Sequence, residues 1–141
     1  ELNNYIKDNN STNRIEYHFR GHREDDFINC DFVIQASGVP KDNIYLQLAR
    51  NNNIPVYQES SLFLKIINEW NNILEDKDKI ITIGVTGTRG KTTTTMLIYR
   101  ILADYYKAEN VHLGGNIRDI STISILKSIK PRDIILMEMD S

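Results

Sequence analysis

The segment Thr86-Gly87-Thr88-Arg89-Gly90-Lys91-Thr92-Thr93 has the residue types and spacing of a phosphate-binding loop. Glycines at 87 and 90 let the backbone turn tightly and aim N–H groups inward. A helix start behind them adds a dipole that favours anions, and the Lys91 ammonium suits β- and γ-phosphates. The Thr92 hydroxyl suits Mg2+. The strict pattern has a glycine five positions before Gly90, where this chain has Val85, so the loop is a variant. The bland alternative is a strand-to-helix turn with a chance lysine. Against it stand four consecutive threonines, Thr92 to Thr95, which are poor helix formers. Contacts to phosphate and metal account for the first two.

Glu138 is the second candidate. It lies at the carboxyl end of the apolar run Ile134-Ile135-Leu136-Met137, and in an open parallel sheet that edge is where ligands bind. A solvated carboxylate at a strand end is the alternative. Asn116, after Gly114-Gly115, and the pair Ser37-Gly38 each read alone as turns. His18, His22 and His112 lack the spacing of a metal site, and His22 fits a solvated loop. Glu24-Asp25-Asp26 fits a capped helix start or a solvated face. Trp70, Tyr105 and Tyr106 fit core or domain contacts.

These residues need elements to position them. The first part alternates strands and helices: a half-exposed strand around Arg14 to Phe19, the buried-looking run Phe32 to Ala36, and the turn Ser37-Gly38-Val39-Pro40. Next come a helix capped by Asp42 with Ile44, Tyr45, Leu48 and Ala49 on one stripe, a short strand at Pro55 to Tyr57, and a helix from Ser61 to Trp70 with Leu62, Ile66 and Trp70 at i, i+4 and i+8. The polar stretch Asn71 to Lys79 is the best candidate for a boundary. Ile80 to Val85 then predicts a central parallel strand feeding the loop. A helix follows from about Thr92 to Tyr106, with Leu97, Ile98, Ile101, Leu102 and Tyr105 as its buried stripe. A short strand near Val111, a helix near Ser121 to Ile129 and a strand from Asp133 to Met139 complete the pattern.

The fold expected is therefore α/β. It comprises a Rossmann-like βαβα unit (1–75) and the start of a P-loop ATP-binding unit with a mainly parallel sheet (76–141). The chain starts without Met and stops behind an apolar strand, so a fragment is expected, inactive by itself.

Bulk properties exclude other classes. Among 141 residues, 17 basic side chains stand against 19 acidic ones for a net charge of -2, which provides no field for a nucleic acid. No apolar run reaches the roughly 20 residues of a membrane-spanning helix, and the N-terminus is unlike a signal peptide; a cytoplasmic monomer is the expectation. Cys30, the single cysteine, fits a structural thiol.

Thr-Gly-Thr-x-Gly-Lys-Thr-Thr after an apolar strand resembles the ATP loop of the Mur ligases and their relatives, the folylpolyglutamate and cyanophycin synthetases. Arg89 stands where the family usually has Asn. Ala36-Ser37-Gly38-Val39-Pro40, then Asn53-Ile54-Pro55-Val56, Glu59 and Leu62-Phe63, resemble the end of a Mur N-terminal domain. Gly114-Gly115-Asn116-Ile117 with Leu136-Met137-Glu138-Met139-Asp140-Ser141 is most similar to the branch that adds D-glutamate to UDP-N-acetylmuramoyl-L-alanine; Asp140 departs from the Ser usual there. The resemblance spans about Asp31 to Ser141.

The resemblance implies an ATP- and Mg2+-dependent ligase acting through an acyl phosphate, with UDP-N-acetylmuramoyl-L-alanine and D-glutamate as substrates. It implies ATP contacts at Gly87, Thr88, Arg89, Gly90, Lys91, Thr92 and Thr93. Lys91 and Glu138 become the catalytic pair, Thr92 and Glu138 the metal ligands, and Ser37, Gly38 and Asn116 the substrate contacts. A sister ligase for another amino acid and a non-catalytic nucleotide-binding fragment are the competing expectations. A small P-loop kinase or GTPase is disfavoured by the elements ahead of the loop.

Overall fold

The computed structural model describes residues 16–36, 38–117 and 120–139. A one-turn helix, α1 (Asp25–Ile28), opens the described chain. Then follow β1 (Val33–Gln35), α2 (Ile44–Asn51), β2 (Val56–Gln58) and α3 (Glu59–Ile73). After a 3-10 turn at Asp76–Asp78 come β3 (Ile81–Val85), α4 (Lys91–Tyr106), β4 (Val111–Gly115), a 3-10 segment at Ile123–Lys127 and β5 (Ile134–Glu138). The described residues are α/β with two small parallel sheets, β1-β2 and β3-β5-β4.

The first sheet pairs Val33 with Val56 and Gln35 with Gln58. Residues 16–19 of the expected first strand have no regular structure, and 14–15 lie outside the described residues. Asn43, not Asp42, caps α2: its Oδ1 accepts from the N–H groups of Tyr45 and Leu46 at 3.0 and 3.4 Å. Leu46 and Ala49 are the residues of α2 that are buried, while Ile44 sits exposed in the first turn. Phe32 and Ile34 are also about half exposed, because two strands cover little area. The acids of α1 start a helix: Asp26 accepts from Arg23 at 2.9 Å and lies 2.8 Å from His18 Nδ1. The Arg23 guanidinium holds the Asp26 carboxyl below its ordinary range, with His18 adding to the effect. His22 lies in an exposed loop, as expected, with its ring edge-on to Phe27 and Tyr45 at 5.5 and 5.0 Å.

In the second sheet β5 is central, and β3, expected there, is an edge among the described residues. Every residue of β5 is buried, whereas β3 carries Thr82 and Gly84 and leaves Ile81 half exposed. An uninterrupted apolar run is what a strand covered on both faces requires. Ile135 and Met137 share a core with Phe63 and Ile67 of α3, Ile80 and Ile125. Strand alternation puts Ile134, Leu136 and Glu138 on the other face, where α4 contacts the sheet. The inward row of α3 is Phe63 and Ile67, with Trp70 packed behind, while Leu62 and Ile66 are half-buried.

The stripe of α4 differs from expectation. Thr95 is fully buried and Ile98 and Leu102 half-buried, but Leu97, Ile101 and Tyr105 are 60%, 61% and 79% exposed. Three strands underlie too little of the helix to cover a stripe that wide. Tyr105 and Tyr106 are both exposed and meet each other edge-on, with ring centroids 4.7 Å apart, rather than packing on a core. The helix expected near Ser121 to Ile129 is a 3-10 segment, held by bonds such as Ser128 N–H to Ile125 C=O at 2.9 Å. Its β-branched and Ser residues favour that over α-helix.

The polar stretch before β3 has its own anchor. Asn71 donates from Nδ2 to the Ile80 carbonyl at 2.9 Å and accepts from the Ile80 N–H at 2.8 Å. The amide thus stands in for a neighbouring strand at the residue that enters β3.

Candidate functional site at the carboxyl edges of the two sheets

The carboxyl edge of the second sheet is one row, with Val85 and Gly115 both in register with Glu138. After Val85 the chain leaves β3 through Gly87 (φ 153) and Gly90 (φ 76). Gly90 is the residue before α4, in the left-handed region, where a side chain would be strained. The Lys91 ammonium folds over the loop and donates to the Gly87 carbonyl at 3.0 Å. One residue on, Thr92 Oγ1 donates to Glu138 Oε2 at 2.7 Å. Glu138 is 6% exposed, so its carboxylate is largely withdrawn from water beside a helix start whose dipole favours negative charge.

Thr92 and Glu138 bring one hydroxyl and one carboxylate oxygen within 2.7 Å of each other. That donor set fits Mg2+, which is usually held by one or two protein oxygens with phosphates and water completing its octahedron. Thr88, Arg89 and Thr93 are exposed on the loop and helix start. Among the described residues Arg89 pairs with no acid.

A cleft of about 250 Å3 runs between the edges of the two sheets. Gln35, Gly38, Lys41, Gln58 and Glu59 line one wall, and Gly115, Asn116, Thr122 and Glu138 the other. Gly38 and Asn116, predicted as substrate contacts, therefore face a common space with Glu138, while Ser37 lies outside the described residues. Asn116 also donates its N–H to the Glu138 carbonyl at 2.8 Å.

Three residues at this edge were given no contact or chemical role from the sequence. Gly115 (φ 84) has no room for a side chain, since a Cβ there would stand 2.1 Å from the Glu138 carbonyl oxygen. Thr122 is buried, and its Oγ1 accepts from the Gly115 N–H at 2.8 Å. Glu59 Oε1 accepts from Ser121 Oγ at 2.9 Å and from the Ile123 N–H at 3.0 Å. The Gly-Gly pair was the visible signal for the first; the other two depend on partners distant in sequence.

The chain is 30% identical over 131 residues to the UDP-N-acetylmuramoylalanine–D-glutamate ligase of Elusimicrobium minutum, covering 90% of this chain and 26% of that protein. It is 32% identical over 128 residues to the enzyme of the same name from Borreliella burgdorferi, covering 91% and 24%. The chain belongs to the Mur ligase family. The UDP-N-acetylmuramate–L-alanine ligase of Dictyoglomus turgidum is also similar, at 30% identity over 119 residues, covering 82% of this Mur ligase segment and 24% of that protein. The segment spans about a quarter of the length of the curated Mur ligases it matches. No protein-family profile matches it. Among its described residues no helix is long and apolar enough to cross a membrane.

Proposed function

We propose that the protein containing this segment is an ATP-dependent, Mur-type amide ligase of peptidoglycan precursor synthesis, adding D-glutamate to UDP-N-acetylmuramoyl-L-alanine in the cytoplasm. In this reading residues 1–75 are the C-terminal part of a Rossmann-like domain that binds the UDP substrate. Residues 76–141 begin the P-loop ATP-binding domain. The observation that carries the proposal is the bond from Thr92, at the start of the loop helix, to Glu138, at the edge facing the cleft.

The chemistry proposed needs two displacements. A carboxylate oxygen of the UDP substrate attacks the γ-phosphorus of ATP, the bond to the β–γ bridging oxygen breaks, and ADP leaves. The amine of D-glutamate then attacks the acyl carbon, the C–N bond forms, the C–O bond to phosphate breaks, and the amine loses a proton. In both steps negative charge gathers on phosphoryl oxygens, so donors and cations held ready beforehand provide most of the stabilisation.

Lys91 would bind the β- and γ-phosphates, together with backbone N–H groups from Gly87 to Thr93. Arg89, exposed on the same loop, would add a second cation. Thr92 and Glu138 would hold Mg2+, which when bound neutralises phosphate charge. Gly38 and Asn116, with Ser37, would orient the UDP substrate across the cleft.

The test is phosphate release by the full-length protein. Release from ATP that requires both UDP-N-acetylmuramoyl-L-alanine and D-glutamate supports the proposal; release indifferent to both overturns it. The similarity to an L-alanine ligase at comparable identity favours one second reading, a sister Mur ligase, which a panel of amino acids with UDP-N-acetylmuramate separates from the first.

A further inference from the structure

Glu59 is the first residue of α3, and an acid there would ordinarily be a simple partner of its own helix dipole. Its bonds point elsewhere. The N-terminus of α3 has no side-chain cap, and Glu59 Oε1 instead receives the Ser121 hydroxyl and the Ile123 N–H, 62 and 64 residues further along the chain. The carboxylate bridges from the edge of the first sheet to the 3-10 segment covering the second.

The contacts continue in an unbroken series. Thr122, between the two residues that Glu59 holds, accepts from the Gly115 N–H at 2.8 Å. Gly115 presses on the backbone of Glu138, and Asn116 donates to the Glu138 carbonyl. Glu138 in turn receives the Thr92 hydroxyl from the phosphate-loop helix. Each link is directional, whereas the apolar packing of Phe63 and Ile67 that lays α3 on the second sheet is non-directional and permits sliding. Two bonds to one carboxylate oxygen, strengthened by its charge, fix where the start of α3 sits along the edge.

We propose that Glu59 is a positioning residue that sets the width and register of the cleft, aligning a carboxylate substrate held on the first sheet with the phosphoryl group held by the loop. The proposal rests on the ligase reading of the cleft. It predicts an effect on turnover rather than on nucleotide binding, because Glu59 touches neither the loop nor Lys91. Displacements of about 1 Å between reacting groups cost up to about a hundredfold in rate.

The experiment uses the full-length protein with Glu59→Ala, Glu59→Gln and Ser121→Ala. Glu59→Ala is expected to lower kcat at least about tenfold while the KM for ATP stays within about twofold. Glu59→Gln retains an Oε1 acceptor and restores kcat to within about threefold. Adding Ser121→Ala to Glu59→Ala costs little more, as partners in one network are non-additive. Spin labels at Asn51→Cys on α2 and Asp104→Cys on α4, both exposed, read the geometry without activity: their distance distribution broadens with Glu59→Ala and stays narrow with Glu59→Gln.

A Glu59→Ala variant with unchanged kcat overturns the proposal. So does one in which kcat, ATP binding and thermal midpoint fall together while the label distances stay narrow, which is a purely structural role. Should the wild-type protein release no phosphate with any amino acid, the ligase reading fails separately. The label distances then decide alone, a broadened distribution supporting the bridge and an unchanged one ending it.

Discussion

Thr92 and Glu138 are 46 residues apart in the chain, yet the hydroxyl of one lies 2.7 Å from the carboxylate of the other. The sheet makes this contact: β3 delivers the loop and α4, and the neighbouring strand β5 ends in register at Glu138. If the pair holds Mg2+, replacing Glu138 with Gln keeps the hydrogen bond to Thr92 and removes the charge. Turnover of the full-length protein is then expected to fall at least about a hundredfold, with a higher Mg2+ concentration needed for half-maximal rate. A Mg2+ titration unchanged from wild type would rule out the assignment.

Lys91→Ala should abolish turnover while binding of the UDP substrate survives, because Lys91 sits on the loop and lines no part of the cleft. Calorimetric titration with UDP-N-acetylmuramoyl-L-alanine checks the second half. Wild-type-like activity in this variant would contradict the phosphate role.

Arg89 is exposed on the loop and pairs with no acid among the described residues. Substituting Asn, the residue usual in the resembling family, should raise the KM for ATP by about three- to tenfold, the cost of one partly solvated charge contact. The effect should shrink as salt is added. No change in KM at low salt would mean that the side chain never reaches the nucleotide.

Gly115→Ala tests the edge itself. The new Cβ would lie 2.1 Å from the Glu138 carbonyl oxygen at a φ of 84, and relieving that overlap must move β4 away from β5. A loss of at least about 3 kcal/mol is expected from the strain and the parted strands, measured by denaturant unfolding. Gly38→Ala meets open space and should cost less.

Asn71→Ala removes both bonds to the Ile80 backbone and leaves a buried residue with an unmet N–H and C=O. Destabilisation of about 1–3 kcal/mol is expected, seen as a lower unfolding midpoint. Asp in its place keeps the acceptor alone and should fall between the two.

Local chemistry was legible from residues close together in sequence. Glycine spacing, Lys91 and the apolar run before the loop require a strand, a tight turn and a helix, and those elements run Ile81–Val85 and Lys91–Tyr106. Glu138 was legible too, as an acid ending the most apolar strand. Choosing Asn43 over Asp42 as a cap was a shift of one residue between two good capping types. The exposed Leu97, Ile101 and Tyr105 escaped for another reason: periodicity reports which side chains share a helix face, but not how much sheet lies beneath it.

What the sequence determined by itself was therefore the strand, glycine-bearing turn and helix around Lys91, the α/β order, and Lys91, Thr92 and Glu138 as candidates, since each follows from spacing within a few residues. Tertiary structure decided that β5 rather than β3 is central, that Gly115 must be glycine, and that Glu59 reaches across to Ser121 and Ile123. These depend on which strands become neighbours and on contacts between residues dozens of positions apart, and no local propensity or period encodes such pairings.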